Sequence, residues 1–464
     1  MATHLFFDDQ WLVRRKGLKR AYGRPELIKD SVYYDPYVNT SVGTVKVIFD
    51  ERINKYRLYY TAFAPDRRHG VCVSESDDGI HWKPLEVSQN KKRGLAPNCC
   101  IDLENNTETV AYFYVKGDEK PYKFLNSECL YGTEWKCDCR LFESADGIDF
   151  EKTDIIWHSA TLGCEPLGGG FYNPITQSYV INCRPIWGDR RICYVETKDF
   201  KTFTDPVLIL QCDSIDEPLM DLQGMSAHWY ADMAIGFLFC YHVPEEPLDK
   251  AVGGKVFSQL AYSYNGIAFQ RSLRDDFLGN GESGDITAGM VWPCDIRIDQ
   301  NDDILITVAA SRLEHGFFEA PHTGSIATYK LRKDDFIHFE ALNGESTLCT
   351  RCIHYFGEGL FINLKCPDGR ATCAIYNDDI TDRMRAPMEG FTHEDCIPFT
   401  GDCKNWVPQF KSKSIEQLKG KNFMLEIKMS NGIIYSISGN YQKMMATEIF
   451  RHKAFGELPT RKGF

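Results

Sequence analysis

The chain has 464 residues, of which 43% are hydrophobic and 13% aromatic, and its formal net charge is −12 at pH 7. This composition is typical of a well-packed globular protein and excludes an intrinsically disordered one. The acidic balance argues against a nucleic-acid partner, which needs a basic face. The length accommodates about two to four domains.

The first residues and the cysteines bear on the cellular compartment. Residues 1–11 lack the basic start and apolar stretch of a secretory signal, and no run approaches the ~20 apolar residues of a membrane span. The 18 cysteines show neither the paired CxxC spacing of a zinc site nor the spacing of a disulfide framework. We therefore expect reduced thiols, no metal, no membrane partner and a cytoplasmic protein, with a removed leader as the alternative.

A short motif occurs five times between residues 76 and 339 and organises most of the chain. Its copies begin at Ser76, Ser144, Thr197, Ser263 and Lys333. Each follows a strand-like run and combines a polar residue, a turn residue and an aromatic residue three positions on. Asp-Gly and Asn-Gly favour tight turns because they accept positive φ, and the aromatic residue would pack back onto the sheet. Four strands repeated around a ring form a β-propeller, so five copies predict five blades.

The predicted blades follow one another after a lead-in, residues 1–30, that we expect to wrap or close the ring. They span residues 33–84, 98–153, 163–210, 220–272 and 288–342. Alternating β-branched and aromatic residues support strands in these segments, for example at 44–49 and 235–241. Residues 1–342 are therefore predicted to form one five-bladed propeller domain.

The pattern changes after residue 343, where the aromatic-closed motif stops. Strand-like runs continue at 359–363, 371–376, 423–428 and 433–437, separated by turn-rich linkers. This arrangement predicts a β-sandwich over residues 343–450 and a basic, loosely held tail over 451–464. The fold class is thus all-β, a five-bladed β-propeller followed by a C-terminal β-sandwich.

This layout resembles glycoside hydrolase family 32, and the propeller resembles that of family 43 and related families. The resemblance covers nearly the whole chain and rests on the blade pattern together with several segments: 56–60, 76–79, and 395–436. The opening segment 5–9 and the basic elements at 184–185, 190–191 and 312–315 resemble a poorly characterised group of glycosidases with this layout. The resemblance implies a carbohydrate substrate, carboxylate acid/base chemistry in a central funnel, and no cofactor.

The catalytic motifs of family 32 are only partly present. The segment Tyr34-Asp35-Pro36-Tyr37 retains only the Asp-Pro of the first motif. Glu165, in Cys164-Glu165-Pro166, stands where that family has the aspartate of Arg-Asp-Pro, and 220–224 contains no Glu-Cys pair. These departures argue against a fructosidase and leave a glycosidase open.

Glycoside hydrolysis needs two carboxyl groups across the scissile bond, one protonated and one ionised. Asp35, Glu165 and Asp221 each stand just before the first strand of a predicted blade, where the blades converge on the funnel. We predict these three as the catalytic candidates and Asp285, before the fifth blade, as a further residue of the substrate site. The alternative for each is a turn cap or a solvated loop residue.

Basic and aromatic residues supply the candidates for substrate binding. Arginine suits bidentate recognition of an anionic or hydroxyl-rich group, and an aromatic face can stack on a sugar ring. The predicted binding residues are Arg184, Trp187, Arg190, His242, Trp292, Arg312 and His315. The alternatives are surface ion pairs for the arginines and a core position for His242.

Three functions remain open at this point. The first is a glycoside hydrolase, and the second is a glycoside phosphorylase, in which a basic cluster holds phosphate as the nucleophile. The third is a non-catalytic carbohydrate-binding propeller, because a fold by itself establishes no activity. The sequence also leaves a homo-oligomer open.

Overall fold

The computed structural model describes residues 1–63, 69–87, 95–103, 110–130, 136–158, 164–185, 190–242, 253–315, 323–377 and 386–459. The chain divides into two compact units. The central unit spans Pro25–Leu331, and the terminal unit joins Met1–Arg24 to Arg332–Phe464. Residues 1–24, which we predicted within the propeller domain, therefore belong with the C-terminal part of the chain.

Three short strands open the chain: β1 (Ala2–Leu5), β2 (Leu12–Lys16) and β3 (Lys19–Tyr22). They do not pair with the strands that follow them. Their hydrogen-bond partners lie after residue 336, with His4 opposite Ile437 and Tyr22 opposite Ile337. This long-range pairing is the physical reason for the shifted boundary.

The strands of the central unit form successive antiparallel groups in chain order. First come β4 (Glu26–Leu27) and a 3₁₀ turn (Lys29–Ser31), then the first sheet with β5 (Asn39–Asp50), β6 (Lys55–Phe63), β7 (His69–Ser76), β8 (Lys83–Pro84) and β9 (Cys99–Leu103). The second sheet has β10 (Val110–Tyr114), β11 (Tyr122–Leu130), β12 (Lys136–Ser144) and β13 (Glu151–His158). The third has β14 (Cys164–Glu165), β15 (Gly170–Asn173), β16 (Ser178–Pro185), β17 (Ile192–Thr197) and β18 (Val207–Leu210).

The remaining strands of this unit are hydrogen-bonded in one continuous order and fall into two groups, which we number as the fourth and fifth sheets. They are β19 (Met220–Tyr230), β20 (Met233–His242) and β21 (Val256–Ser263) in the fourth sheet, and β22 (Met290–Ile298), β23 (Ile304–Ser311) and β24 (Gly324–Leu331) in the fifth. A single pair, Val256 opposite Met290, joins the two groups. The fifth sheet is completed by β4, where Leu27 lies opposite Tyr329. Within the predicted lead-in, residues 26–27 therefore supply the outer strand of the last sheet.

Each sheet of the central unit packs on the next through a shared apolar core. Tyr59 of the first sheet packs on Phe124 of the second, and Phe113 of the second packs on Tyr179 of the third. The third and fourth sheets share a core that includes Phe171, and clusters of this kind recur between successive sheets. Because Tyr59, Phe124, Phe113 and Phe171 are almost fully buried and Tyr179 is partly buried, the sheet-to-sheet contacts contribute a large share of the hydrophobic stabilisation.

A buried carboxylate links the fifth sheet to the first and the fourth. Asp295 accepts a hydrogen bond from Lys46 Nζ (2.7 Å) and another from the backbone N–H of Val47 (3.0 Å), and its carboxylate lies 3.6 Å from His228 Nδ1. Asp295 is only 2% exposed. Burial acts to raise the pKa of Asp295, but Lys46 and His228 oppose it, and the net pKa is lowered. The first and fifth sheets are thus held together by a satisfied ionic contact.

The repeated motif forms turns that dock on the neighbouring sheet. In the copy at 144–150, Ser144 Oγ donates to Asp146 Oδ1 (2.9 Å) and the backbone N–H of Gly147 donates to Ser144 Oγ (2.8 Å). Tyr59 of the first sheet donates to the carbonyl of Gly147 (2.8 Å). The sequence predicted a tight turn in which both central residues have positive φ. In the first, second and fourth copies only the glycine has positive φ, so a different turn is observed. The aspartate or asparagine instead accepts from the backbone two and three residues on.

The third sheet approaches the fourth through a glycine with no room for a side chain. Gly168 has φ of +121°, and a Cβ atom there would overlap the backbone carbonyl of Met225. The N–H of Met225 donates to the carbonyl of Leu167 (3.3 Å). Gly169, the next residue, has φ of +85° but no atom within 4 Å of a Cβ. Close backbone contact between the turn after β14 and the strand β19 therefore depends on residue 168 being glycine.

The terminal unit is built on one sheet that contains two long strands. Its later elements are β25 (Ile337–Thr350), β26 (Ile353–Asn377), β27 (Phe399–Trp406), a 3₁₀ turn (Ile415–Leu418), β28 (Asn422–Lys443) and α1 (Ala446–Phe455). The strand order is β2-β25-β28-β26-β27, with β1 on β28 and β3 on β25. The predicted loose tail from residue 451 is wrong in part, because α1 continues to Phe455 and ends at Gly456 in the left-handed region.

Two further observations concern the part of the chain that the structure describes. None of its helices is long and apolar enough to cross a bilayer. The cysteines whose side chains are described are thiols, most of them buried, as Cys72 and Cys240 are. A hydrogen bond with Cys99, followed by burial, raises the pKa of Cys72, and burial raises the pKa of Cys240. Raised pKa values suit structural rather than reactive cysteines.

We predict that Gly168→Ala lowers the free energy of unfolding by about 2–4 kcal/mol, since it adds left-handed strain to a backbone overlap. Gly169→Ala is the matched control and should cost only about 1–2 kcal/mol, because it adds strain without overlap. Urea denaturation of both variants measures the difference. Equal losses for the two would contradict the proposed backbone contact at residue 168.

Stability should also depend on the ionisation of His228. Burial, then Lys46, lowers the pKa of His228 to about 4 in the folded chain, although Asp295 acts in the opposite direction. Between pH 6.5 and 4 the unfolded chain therefore binds a proton that the folded chain does not, and stability falls as pH falls. The free energy of unfolding should therefore fall by up to about 3 kcal/mol over this pH range because of His228, and His228→Gln should abolish this part of the pH dependence. Denaturation midpoints over this pH range, with the exposed His242→Gln as control, test the expectation.

Candidate functional site

Glu165 and Arg184 form an ion pair on neighbouring strands of the third sheet. Glu165 ends the short strand β14, and its Cα partner on β16 is Arg184. Arg184 Nη2 donates to Glu165 Oε2, and the two side chains are 17% and 13% exposed. Arg184 Nη1 is buried and has no hydrogen-bond partner among the described residues. This guanidinium therefore retains a donor that Glu165 does not use.

Asp221 and Arg190 form a second, longer pair beside the first. Asp221 is the second residue of β19 and lies opposite Tyr241 on β20. Arg190 Nη1 lies 3.6 Å from Asp221 Oδ2, and its guanidinium carbon lies 4.6 Å from the centroid of the Tyr241 ring. Burial, then Arg184, lowers the pKa of Arg190, while Tyr241, Asp221 and Glu165 act in the opposite direction. Arg190 therefore interacts with both carboxylates and with the other arginine.

His315, which follows β23 of the fifth sheet, completes this group. Its Nε2 lies 3.4 Å from Gln223 Nε2, and its ring centroid lies 5.1 Å from that of Tyr241. Burial, then Arg190 and Arg184, lowers the pKa of His315 to about 3. The imidazole is therefore neutral at neutral pH and offers one donor and one acceptor.

Five residues from three sheets thus form one group, which we call the carboxylate–arginine cluster: Glu165, Arg184, Arg190, Asp221 and His315. Its two carboxylates can exchange protons with a bound group, and its arginines can bind hydroxyl or anionic oxygens. Among the described residues, no set of three His, Cys, Asp or Glu side chains is arranged to hold a metal ion. The chemistry available is therefore that of acids, bases and hydrogen-bond donors.

Asp35 lies in a different environment from Glu165 and Asp221. It is 1% exposed and accepts hydrogen bonds from the backbone of Tyr37 (2.7 Å) and Val38 (3.3 Å), from Asn98 Nδ2 (2.6 Å) and from the hydroxyl of Tyr60. None of these donors belongs to the carboxylate–arginine cluster. Four donors on a buried carboxylate are what a structural role requires, and a catalytic role for Asp35 stays a prediction.

Two other predicted site residues, Asp285 and Trp292, make contacts that are typical of a structural role. Asp285 is exposed in a turn, where it accepts from the backbone N–H of Glu282 (2.9 Å). Trp292 is 2% exposed, and its ring stacks on Phe239 at 4.9 Å between centroids. One face of this indole is therefore covered by the core of the unit, which leaves it poorly suited to stack on a sugar.

The last three predicted residues lie at strand ends. His242 ends β20 with a half-exposed side chain 3.9 Å from Glu217. Arg312 is exposed and donates to the hydroxyl of Tyr34 (2.9 Å). Trp187 lies outside the described residues. Among the described residues, no contact of His242 or Arg312 joins them to the carboxylate–arginine cluster.

Sequence reasoning missed three residues that surround this cluster. Tyr241 packs under Arg190 and donates through its hydroxyl to the carbonyl of Gly253. Gln223 contacts His315, and Glu314 accepts from the N–H of Gly254 (3.0 Å). Tyr241 and Gln223 lie within the segments 235–241 and 220–224, which the sequence analysis considered. Strand alternation could not show that their side chains come close to His315. The position of Glu314 beside His315 was the one signal available.

Comparison with known proteins gives a distant likeness only. No protein-family model matches the chain, and no curated protein matches it. It is similar to a glycosyl hydrolase from Bacteroides ovatus, with TM-score 0.45 and 11% identity over 66% of this chain and 94% of that one. It is also similar to a thermostable family-43 glycoside hydrolase (TM-score 0.43, 16% identity, 64% and 92% covered). A third similar structure is an N-acetylgalactosamine deacetylase from F. plautii in complex with blood group B trisaccharide (TM-score 0.45, 12% identity, 68% and 95%).

The predicted resemblance to glycoside hydrolases is present among these structures.

The Glu165–Arg184 pair supports a direct stability test. Arg184→Met should lower the free energy of unfolding by about 2–3 kcal/mol, because it leaves the mostly buried Glu165 carboxylate without its cation. Adding Glu165→Gln to this variant should recover part of the loss, which a double-mutant cycle measures. Lys116→Met removes a fully exposed partner of Glu51 and should leave the denaturation midpoint nearly unchanged. Additive losses in the cycle would show that the two side chains are not coupled.

Proposed function

We propose that this protein is a glycoside hydrolase whose catalytic carboxyl groups are Glu165 and Asp221. The observation that carries the proposal is their position in one cluster, although they lie 56 residues apart on adjacent sheets. Two carboxyl groups that flank one bond are the minimum requirement of glycoside hydrolysis. The surrounding arginines and the neutral histidine offer the donors that sugar hydroxyls need.

The arrangement of the sheets supports a five-bladed propeller as the scaffold. Successive sheets share cores, and Asp295 links the fifth sheet to the first, so the contacts close a cycle. In the cluster, Glu165 ends β14, Asp221 stands at the start of β19, and Arg184 lies near the end of β16. Arg190 precedes β17 and His315 follows β23. Because neighbouring strands are antiparallel, these positions share one end of the sheets. Within the same proposal, the terminal unit is the β-sandwich expected from its sequence.

The two carboxyl groups receive different roles in this proposal. Glu165, in contact with a guanidinium, suits the ionised base or nucleophile. Asp221, with the longer contact to Arg190, is the general acid that protonates the leaving glycosidic oxygen. The bond from the anomeric carbon to that oxygen breaks, a water oxygen replaces it, and the proton released by water returns to the carboxyl pair. Neutral His315 and Tyr241 hold the substrate against this pair.

One observation favours the alternative of a glycoside phosphorylase. Arg184 Nη1 is buried and has no hydrogen-bond partner within the described ranges of the chain. Arg190 lies close enough to lower the pKa of His315 together with Arg184. Two guanidinium groups with an unused donor are suited to a phosphate oxygen. Phosphate would then replace water as the nucleophile while Asp221 keeps its role as acid.

A panel of aryl glycosides and short oligosaccharides, assayed with and without phosphate, tests the proposal. We expect turnover without phosphate and a fall in kcat of about 10²–10⁴ in Glu165→Gln and in Asp221→Asn. Asp285→Asn, at an exposed turn, is the control that should keep full activity. Turnover only with phosphate would favour the phosphorylase. Saturable sugar binding without turnover, unchanged in all three variants, would favour a binding protein.

Asp35→Asn separates the two roles open to Asp35. A structural role predicts a lower unfolding temperature and near-normal kcat in the folded fraction, because four hydrogen-bond donors lose their ionised acceptor. A catalytic role predicts the reverse, with kcat lost and the unfolding temperature kept. Thermal denaturation and initial rates on the same preparation decide between them.

A further inference from the structure

The helix α1 covers a small apolar cluster in the terminal unit. The cluster joins Cys349, Cys352, Met424 and Met444 to Ile449 of the helix, and all five residues are buried. Ile449 is the buried residue of α1, whose other side chains are partly or fully exposed. A helix of 10 residues is marginal in water by itself, so α1 depends on its contacts with the sheet.

A hydrogen-bonded bridge between two histidines supplies one of these contacts. Asn422, the first residue of β28, stands between His354 on β26 and His452 in the last turn of α1. His354 Nδ1 lies 2.7 Å from Asn422 Oδ1, and Asn422 Nδ2 lies 3.1 Å from His452 Nδ1. The centroids of the two imidazole rings are 4.6 Å apart. The bridge therefore ties the end of α1 to both long strands of the sheet.

The bridge requires that at least one of the two imidazoles is neutral. The Asn422 amide has an oxygen that accepts and an NH₂ group that donates. His354 Nδ1 therefore carries a hydrogen, whereas His452 Nδ1 presents its lone pair. Rotation of the amide would exchange the two roles, but in neither orientation can the amide accept from both rings. If both rings are protonated, one ring N–H faces the amide NH₂ group and two positive charges lie side by side.

The surrounding charges do not compensate a second proton. In the described part of the chain, neither imidazole forms an ion pair with a carboxylate. The acidic side chains nearby have other partners, since Glu448 accepts from the N–H of Met445 (2.7 Å), Glu457 from Arg451 (2.6 Å) and Glu416 from the hydroxyl of Tyr355. The other charged side chains on these elements are basic: Arg351, Lys421, Lys443 and Lys453.

The pKa of His354 shows how docking of the helix depends on pH. Burial lowers this pKa, with a contribution from His452, and the hydrogen bond with Asn422 acts in the opposite direction. His354 is 5% exposed in the folded chain. A histidine released to solvent takes up a proton near pH ~6.5. Below that pH the released form binds more protons than the docked form, so docking of α1 weakens as pH falls.

We propose that α1 is a pH-sensitive lid, which the bridge from His354 through Asn422 to His452 holds on the sheet at neutral pH and which protonation of the two imidazoles releases. Release uncovers the apolar cluster and its two thiols, Cys349 and Cys352. The lid lies within the terminal unit, and its release can be measured whether or not the chain hydrolyses glycosides.

Hydrogen–deuterium exchange of the full chain at pH 7.5 and 5.5 tests the proposal. Peptides that cover residues 446–455 report on α1 once their rates are corrected for the intrinsic pH dependence of amide exchange. We expect the opening constant of α1 to be about five- to tenfold larger at pH 5.5 than at pH 7.5. His242→Gln, at an exposed histidine of the central unit, is the control that should keep the same pH dependence.

Three variants separate a pH-dependent bridge from a merely structural one. His452→Gln and His354→Gln each leave a single imidazole, which the amide can satisfy in either charge state, so most of the pH dependence should be lost. Asn422→Asp replaces the amide with a carboxylate that accepts from both protonated rings. In this variant the order should reverse, with α1 more strongly protected at pH 5.5 than at pH 7.5.

Equal corrected opening constants at the two pH values in the unmodified chain would overturn the proposal. An unchanged rise at pH 5.5 in Asn422→Asp would overturn it too, and if that variant does not fold, an unchanged rise in both glutamine variants has the same meaning. Labelling by N-ethylmaleimide at pH 5.5 tests the lid directly. Cys349 and Cys352 should react faster in the unmodified chain than in His452→Gln, and equal rates would show that α1 does not control access to them.

Discussion

The close backbone contact between the third and fourth sheets is the constraint on which the candidate site depends. Gly168 lets the turn that follows β14 approach β19 until the backbone of residue 168 touches the carbonyl of Met225, with no side chain between them. This contact brings Glu165, three residues before the glycine, to the same end of the sheets as Asp221. A side chain at position 168 would force the two strands apart and separate the carboxylates. Packing of the backbone, rather than any attraction between the charged residues, therefore determines the geometry of the site.

Buried charges in the central unit fall into two kinds, and the distinction is physical. Asp295 and Asp35 are almost fully enclosed, and their oxygens receive donors from a lysine, hydroxyl, amide or backbone groups. Such carboxylates repay their desolvation within the fold and have no capacity left for a ligand. The carboxylate–arginine cluster is different because it is partly exposed and because Arg184 keeps an unused donor. Unsatisfied polar atoms beside solvent mark binding sites better than charge does by itself.

Several features of this protein were determined by its sequence. Alternating β-branched and aromatic residues, and turns with Asp-Gly or Asn-Gly, predicted an all-β chain and the order of its sheets, because these signals depend on neighbours in sequence. The sequence predicted only that Glu165 and Asp221 each stand just before the first strand of a blade. It did not show which contacts would bring the two carboxylates together. Tertiary structure decided that Asp35 is enclosed elsewhere, that Trp292 is covered by Phe239, and that residues 1–24 pair with strands beyond residue 336. Such outcomes rest on hydrogen bonds and packing between residues tens to hundreds of positions apart, which no local pattern encodes.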